Sequence, residues 1–474
     1  MYRKGLVAKN SFWLLSSEAV GRGIKFALLV YAARVLGSSG FGVFSFAFAF
    51  VTLFVLLADL GVGSIVTRDF ARDPDKEKQF SGIFTLKLLL AAAAFLVVLV
   101  SSFFATADPQ VRHIIWLLTG FVLMNNVTDV MFAVFRARQR MRAEALAKVG
   151  QVITVSGLGF IMLYLLPSPF SLSVAYFIGG IVMLVIFLSV FAVFLRPVSF
   201  SWDPALWKQV LRESWPLGFV ALFVGIYNSI DSVMLGFLGL FDQVGWYNAA
   251  YRVINLSIVP MVILSQAFYA PLSAAYGKSV QSLGRVLRDY FCLGFLLALP
   301  VAAGGIMVAG QLIEFVYGQE FLPAATAFRI LLISVFFILL MSPLSHVLIV
   351  IGKQRLNFFV TMFGALFNII INLYFIPRYG MNGAAFTTAL TVGLLAVIYF
   401  IIVVKNIGIG FLGRHAFRCA TGGVVAVTVM TATLLSVQSL HLPVLVSILV
   451  SGMVYVGVLF LLRLGWNRFN KVIA

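Results

Sequence analysis

Long apolar segments dominate the pattern of hydrophobic and polar positions along the chain. They begin at Phe12–Tyr31 and end at Pro443–Leu462. A hydrocarbon core of about 30 Å requires roughly 20 apolar residues per helix, so each segment can cross a bilayer once. The pattern predicts an all-α integral membrane protein with about fourteen transmembrane helices. The predicted spans cover residues 10–35, 41–66, 84–105, 112–135, 147–166, 172–195, 214–238, 245–270, 289–308, 324–350, 358–376, 382–404, 415–436 and 442–463.

Composition and charge agree with this prediction. Hydrophobic residues make up 62% of the chain and the mean hydropathy is +1.06, which excludes a soluble fold. Most Lys and Arg residues lie in every second loop, and this positive-inside bias predicts cytoplasmic termini and an even number of spans. The net charge of +18 is therefore a topological signal. A nucleic-acid partner is not expected, because such a surface would form one basic patch.

The polar residues do not predict an enzyme. The longest outer loop, near residues 309–323, is too short to hold a substantial catalytic domain. Cys292 and Cys419 fall within predicted helices, so we expect them to pack there and to form neither a disulfide nor a metal site. The histidines have no metal-ligand spacing; they are His113, His346, His415 and His441. We expect no catalytic residues, no metal centre and no cofactor except a coupling ion.

A weak internal repeat joins two glycine-rich turns. Leu36–Phe44 lies between the first two predicted spans, and a similar pattern runs through residues 235–250. The turns share one orientation and are separated by an even number of predicted spans. They therefore indicate two parallel halves with a site between them, although tight glycine turns also recur by chance.

Further motifs carry a resemblance to a known family. Their order and spacing are more specific than any single one; they are Ala58–Gly61, Asp231–Gly236, Val244–Arg252, Val316–Phe321 and Pro377–Ala385. With them, the chain resembles the polysaccharide-transporter (lipid-linked oligosaccharide flippase) branch of the multidrug/oligosaccharidyl-lipid/polysaccharide superfamily.

This resemblance implies an architecture and a function. The architecture is an N-terminal six-helix lobe (1–203), a C-terminal six-helix lobe (204–405) and an added helix pair (406–474). The implied function is alternating-access transport of a polyprenyl-pyrophosphate-linked glycan across the bacterial inner membrane. Membrane lipids and polysaccharide-assembly proteins are the expected partners. The added pair would hold the polyprenyl chain in a groove, or consist of ordinary lipid-facing helices.

Charged residues inside the predicted spans are expected to face a cavity or a partner, because inserting a charged side chain at bilayer depth costs at least ~2.5–3.5 kcal/mol. Glu18, Arg22 and Lys25 have the i, i+4, i+7 spacing of one helix face. We expect Arg22, Lys25 and Arg252 to line a central cavity and bind pyrophosphate or acidic sugars, with Glu18 beside them. Alternatively, Glu18 and Arg22 neutralise each other in a helix contact.

Other charged residues lie closer to span ends. Lys87 and Arg329 are candidate substrate ligands, but snorkelling to the interface explains them equally well. Asp59 is expected to pair with Arg68 or Arg72. Asp129 is a further acid within a span.

A candidate cation site combines several oxygen donors. Asp231 lies in the seventh predicted span, Asn368 and Asn372 are i, i+4 in the eleventh, and Thr388 follows in the twelfth. Carboxylate, amide and hydroxyl oxygens are ligands that hard cations prefer. We expect Na⁺, or H⁺ carried by Asp231, as the coupling ion. The alternative is that these polar groups only join helices.

Three other functions remain open. A cation-coupled multidrug antiporter belongs to the same superfamily, but the extra span pair and the near balance of buried charges oppose it. An oligosaccharide polymerase or ligase is opposed by the short outer loops. A membrane scaffold does not explain mid-depth Arg22, Lys25 and Arg252.

Overall fold

The fold is helical throughout the computed structural model, which describes residues 4–194, 199–440 and 442–462. These residues contain no strand. The helices are α1 (Lys4–Asp59), α2 (Val62–Arg72), α3 (Phe80–Ala105), α4 (Pro109–Ala137), α5 (Met141–Leu165), α6 (Pro169–Phe194), α7 (Pro204–Phe237), α8 (Phe241–Ser257), α9 (Val259–Tyr276), α10 (Val280–Tyr317), α11 (Ala324–Val350), α12 (Gln354–Ile407), α13 (Arg414–Ser439) and α14 (Val444–Leu461).

The chain divides into two compact units, Met1–Gly245 and Trp246–Ala474. The first unit is built on α1, which packs against α3 to α7. The second is built on α10 and α11, with α12 packed on α11 and the α13–α14 pair packed on α10. The lobe boundaries expected at 203/204 and 405/406 remain a prediction.

The predicted membrane segments correspond to these helices. Eleven segments of the described chain are long and apolar enough to cross a bilayer. Two of them, Ser16–Leu56 and Gln354–Ile407, each correspond to two consecutive predicted spans. At Gly37 and Gly380 the backbone leaves the helical conformation for one residue, and a helix continues on each side of the kink. The shorter apolar helix Ala221–Phe237 matches the seventh predicted span. The prediction of an all-α membrane protein with about fourteen segments is confirmed.

The second predicted span ends earlier than expected. Helix α1 stops at Asp59, and Leu60 and Gly61 adopt positive φ values of 42° and 74°. Helix α2 begins after this break and is amphipathic. Its buried residues have the spacing of one helical face; they are Val62, Ile65, Val66 and Phe70.

The two glycine motifs meet within the first unit. A Cβ atom at Gly42 would overlap the carbonyl oxygen of Phe241, and one at Gly245 would overlap that of Ser38. The Ser38 hydroxyl also donates a 2.6 Å hydrogen bond to Asp242 Oδ1. Only glycine permits this backbone-to-backbone approach, which explains why both turns are rich in it.

The segment that follows the predicted N-terminal lobe (1–203) is the beginning of α7. Asp203 accepts a hydrogen bond from the Leu206 amide and Pro204 occupies the first turn, so the helix starts there. Trp207 Nε1 donates a 2.8 Å hydrogen bond to the carbonyl of Gly82 in α3. Arg68 of α2 pairs with Glu213 and holds the pKa of that carboxyl below its ordinary value. Residues 195–198 lie outside the described residues.

Cys292 and Cys419 form a disulfide between α10 and α13. The expectation that they would not pair is wrong, although both are buried in an apolar cluster with Leu296, as packing residues would be. The two cysteines are 127 residues apart in the sequence, so local spacing does not predict the pair. Because α10 and α13 are in contact, their Cα atoms lie only 6.0 Å apart.

A buried ion pair holds the end of α1 against α3. Lys87 is 0% exposed, and its Nζ lies 2.7 Å from Asp59 Oδ1 and 3.2 Å from the carbonyl oxygen of Ala58. Lys87 therefore binds both a carboxylate and a carbonyl of the last helical turn, which lacks an intrahelical partner. The expected pairing of Asp59 with Arg68 or Arg72 is wrong, because Asp59 meets Lys87 and Arg68 meets Asp69 and Glu213.

Asp59→Asn should destabilise the protein, because it leaves the buried Lys87 ammonium without its counter-charge. The Asp59 carboxylate is 35% exposed, so the expected loss lies toward the lower end of the ~3–5 kcal/mol for a broken buried pair. Adding Lys87→Met should restore most of it. Thermal unfolding in detergent measures both effects, with Asp75→Asn in an exposed pair as the control. Equal stability of Asp59→Asn and the control would contradict this role.

Candidate functional site: a polar cavity in the first unit

A polar cavity of about 230 Å³ lies between α1, α4 and α5 of the first unit. Three of the predicted site residues, Glu18, Arg22 and Lys25, line it from α1. Their i, i+4, i+7 spacing therefore faces a single cavity. The remaining lining residues are Ser17, Gly21, Asn125, Thr128, Asp129, Phe132, Lys148, Gln151 and Val152.

The Arg22–Glu18 pair faces this cavity. Arg22 Nε lies 3.0 Å from Glu18 Oε1, and the two side chains are 43% and 58% exposed. They do neutralise each other, as the alternative expectation held. However, the pair lies along one helix and is not buried between two, so both groups are accessible from the cavity.

Helices α4 and α5 supply polar residues that sequence reasoning did not place at the site. Asn125 and Asp129 are i, i+4 on α4, and Lys148 and Gln151 are i, i+3 on α5. Gln151 Nε2 donates a hydrogen bond to Asn125 Oδ1, which joins the two helices. The helical spacing could have suggested each face, but nothing in the sequence shows that these faces meet α1.

Lys148 reaches from the cavity to a buried carboxylate. Its Nζ lies 2.8 Å from Glu144 Oε1, and Arg136 Nε lies 3.6 Å from Glu144 Oε2. Glu144 is only 1% exposed. The ammonium also lies 5.4 Å from the centroid of the Phe132 ring, within the range of a cation–π contact. Lys148 is not among the predicted site residues, although it lines the cavity.

The other predicted substrate ligands lie away from this cavity. Lys87 is held in the buried pair with Asp59 and does not line the cavity. Its side chain is fully buried, so it does not snorkel to the interface. Arg252 and Arg329 belong to the second unit. Arg252 is half-buried on α8, and its Nε has no hydrogen-bond partner among the described residues. Arg329 is exposed on α11, with Nε 3.4 Å from the carbonyl of Ile306.

The predicted cation ligands of the second unit form a closed hydrogen-bond network. Asn372 Nδ2 donates to Asn368 Oδ1 at 3.0 Å, and Thr387 Oγ1 donates to Asn372 Oδ1. Asn368 Nδ2 is 3.5 Å from Thr391 Oγ1. Both asparagines are 0% exposed. The network joins the two parts of α12 on either side of Gly380, which is the helix-joining role given as the alternative.

The remaining two members of the predicted cation site lie apart in the chain. Thr388 is next to Thr387 on α12 and is 5% exposed. Asp231 lies on α7 in the first unit and is also 5% exposed. Among the described residues, no group of three His, Cys, Asp or Glu could hold a metal ion. The coupling ion stays a prediction.

The second unit contains a cavity of the opposite character. It has a volume of about 290 Å³ and is lined almost entirely by apolar and glycine residues of α8, α10, α11, α13 and α14. Helix α10 contributes Pro300 and Gly304, and the added pair contributes Met430 from α13 and Ile448 and Gly452 from α14.

Known proteins resemble this chain over most of its length. "Probable low-salt glycan biosynthesis flippase Agl15" from Haloferax volcanii is 23% identical over 446 residues, which cover 92% of each protein. "Putative O-antigen transporter" from Shigella flexneri is 24% identical and covers 83% of this chain and 96% of its own. A solved structure, "Lipid II flippase MurJ, inward closed conformation", has a TM-score of 0.75 at 16% identity and covers 95% of this chain and 99% of that one. This structural likeness shows a shared fold.

Two family models match the sequence. MatE matches residues 216–374. The model described as "Polysaccharide biosynthesis protein" matches residues 7–274, more than half of the 474 residues, and this range includes every residue that lines the polar cavity. The chain therefore belongs to the polysaccharide biosynthesis protein family.

Proposed function

We propose that this protein is a flippase that moves a polyprenyl-pyrophosphate-linked oligosaccharide from the cytoplasmic to the outer leaflet by alternating access. The observation that carries this proposal is the polar cavity of α1, α4 and α5 inside a membrane protein whose helices are mainly apolar. Charged side chains within spans cost energy unless they face a partner, a cavity or a polar substrate. Relatives named as a glycan biosynthesis flippase and an O-antigen transporter support the same substrate class. The protein carries out transport and no covalent chemistry.

Flipping of a fluorescent polyprenyl-pyrophosphate-linked glycan in proteoliposomes tests this function directly. The unaltered protein should expose the lipid to an external quencher much faster than protein-free vesicles do. Arg22→Gln and Lys25→Gln each remove a charged donor from the cavity. Because such contacts contribute roughly 1.5–3 kcal/mol, each variant should slow flipping by about 10-fold or more at low lipid concentration.

Lys208→Gln is the matched control, because this residue is exposed on α7 and does not line the cavity. The Lys208→Gln variant should flip the lipid at the normal rate.

The same vesicles with and without a sodium gradient test the coupling ion, and the sodium dependence of flipping should be lost in Asp231→Asn. Absence of flipping by the unaltered protein contradicts the function, whereas sodium independence removes only the sodium site.

A cation-coupled drug antiporter is the second candidate, because the MatE model matches residues 216–374. An antiporter would exchange a small organic cation for H⁺ or Na⁺. The same proteoliposomes, loaded with ethidium and given an ion gradient, discriminate the two functions. Ion-driven ethidium movement without lipid flipping would favour the antiporter.

The apolar cavity of the second unit suits the hydrocarbon part of the same substrate. We propose that it takes up part of the polyprenyl chain beside α13 and α14. Its lining offers almost no hydrogen-bonding groups, as an isoprenoid chain requires. The added pair would then bind lipid and not only face the bilayer.

Gly452→Phe should fill this apolar cavity. A Cβ at Gly452 meets nothing within 4 Å, so the larger side chain can enter the space without a backbone clash. Flipping of the long-chain lipid should slow several-fold. Gly457→Phe is the matched control, because Gly457 also faces open space on α14 but does not line the cavity. Equal flipping rates for the two variants would contradict a polyprenyl site here.

We further propose that the protein resides in the bacterial inner membrane with both termini in the cytoplasm. The concentration of Lys and Arg in alternate loops supports this orientation. Single cysteines tested in a Cys292→Ser/Cys419→Ser background provide the check. An impermeant maleimide added to intact cells should label Gln243→Cys and Ser439→Cys but not Glu77→Cys or Arg140→Cys. Labelling of Arg140→Cys from outside would reverse the orientation.

A further inference from the structure

The polar cavity of the first unit is not a simple cationic site. Arg22, Lys25 and Lys148 line it, but so do the carboxylates of Glu18 and Asp129. Two of these cations already have carboxylate partners, since Arg22 lies 3.0 Å from Glu18 and Lys148 lies 2.8 Å from Glu144. The positive charge available to an additional anion is therefore small.

Asp129 places a carboxyl group in the lining of this cavity. Asp129 is an exposed residue that lines the cavity, and it interacts favourably with Lys148, Arg136 and Lys87 and unfavourably with Asp59. A pyrophosphate placed in the cavity would be repelled by the carboxylates of Asp129 and Glu18, because like charges repel each other at close range. A sugar hydroxyl meets no such repulsion, because it donates a hydrogen bond to a carboxylate.

The Asn125–Gln151 pair adds neutral hydrogen-bonding groups. One donor of Gln151 and one lone pair of Asn125 are used in the bond between them. An amide side chain has two donors and an acceptor with two lone pairs, so positions remain on both residues. Donors and acceptors side by side match hydroxyl groups, which both donate and accept, whereas a phosphate site needs donors alone.

The cavity has room for a group much larger than a water molecule. The cavity of about 230 Å³ is several times the ~30 Å³ share of a water molecule.

We propose that this cavity binds an uncharged sugar ring of the lipid-linked glycan, and that Asn125, Asp129 and Gln151 determine which sugar is accepted. The proposal rests on the flippase function and assigns the cavity to the sugar and not to the pyrophosphate. Arg22 and Glu18 bind hydroxyls beside these residues as a donor and an acceptor.

Equilibrium binding to the purified full-length protein in nanodiscs tests the proposal. The probes are bare polyprenyl pyrophosphate and the same lipid carrying glucose, galactose, N-acetylglucosamine or N-acetylgalactosamine. At least one sugar-bearing lipid should bind about 10-fold more tightly than the bare lipid, as hydrogen bonds to a charged group allow. Equal affinity for all five lipids would overturn the sugar site and leave the flippase function standing. Failure to bind any of them would overturn both.

The sign of the Asp129→Asn effect separates a sugar site from a pyrophosphate site. With a sugar in the cavity, Asp129→Asn should remove the preference for the sugar-bearing lipid and leave bare-lipid affinity unchanged. With pyrophosphate there, removing the carboxylate would tighten bare-lipid binding, and this result would overturn the proposal.

Gln151→Met keeps the test decisive if Asp129→Asn does not fold. It has nearly the same side-chain volume, lacks the amide, and should likewise remove the sugar preference only. Asp75→Asn removes an exposed carboxylate outside the cavity and should leave all five affinities unchanged. An unaltered sugar preference in folded Gln151→Met would also overturn the proposal.

Discussion

The cost of charge inside a bilayer is the constraint on which the first unit depends. Lys87 of α3 is fully buried against the end of α1 and is stabilised by Asp59 and the carbonyl of Ala58. Glu144, also buried, is stabilised by Lys148 and Arg136. Each group has been removed from water, so each needs a partner at close range. These pairs fix α1 against α3, and α4 against α5, around the polar cavity.

Close backbone approach is the second constraint on the first unit. Gly42 and Gly245 allow α1 and the start of α8 to come together with no side chain between them. Membrane helices cannot rely on water to drive their association, so small residues and interhelical hydrogen bonds replace it. The Ser38–Asp242 bond lies at this same crossing and provides such a hydrogen bond.

The two cavities differ in their chemistry. The first unit offers carboxylates, amides and cations, whereas the second offers an apolar space beside the added helix pair. A lipid-linked glycan has one region of each kind, joined by an anionic pyrophosphate. The cavity of α1, α4 and α5 carries two carboxylates, so it suits hydroxyl groups better than phosphate. Arg252 Nε, buried and without a hydrogen-bond partner among the described residues, is a group in the second unit that an anion would satisfy.

The sequence by itself determined the features that depend on local periodicity. Apolar segments long enough to span a bilayer predicted the helices, and the i, i+4, i+7 spacing placed Glu18, Arg22 and Lys25 on one face. Such patterns are readable because a helix repeats every 3.6 residues, whatever surrounds it. The family resemblance, carried by short motifs in a fixed order, is confirmed by the family match over residues 7–274.

Only the tertiary structure decided which helix faces meet. It paired Asp59 with Lys87 in place of Arg68, bonded Cys292 to Cys419, and brought Lys148 and Gln151 to the cavity. It also placed the side-chain amides of Asn368 and Asn372 in a hydrogen-bond network that joins the two parts of α12. Each of these contacts, apart from the Asn372–Asn368 bond, links positions distant in sequence. Local spacing shows the direction in which a side chain points, but the packing of helices determines what it meets.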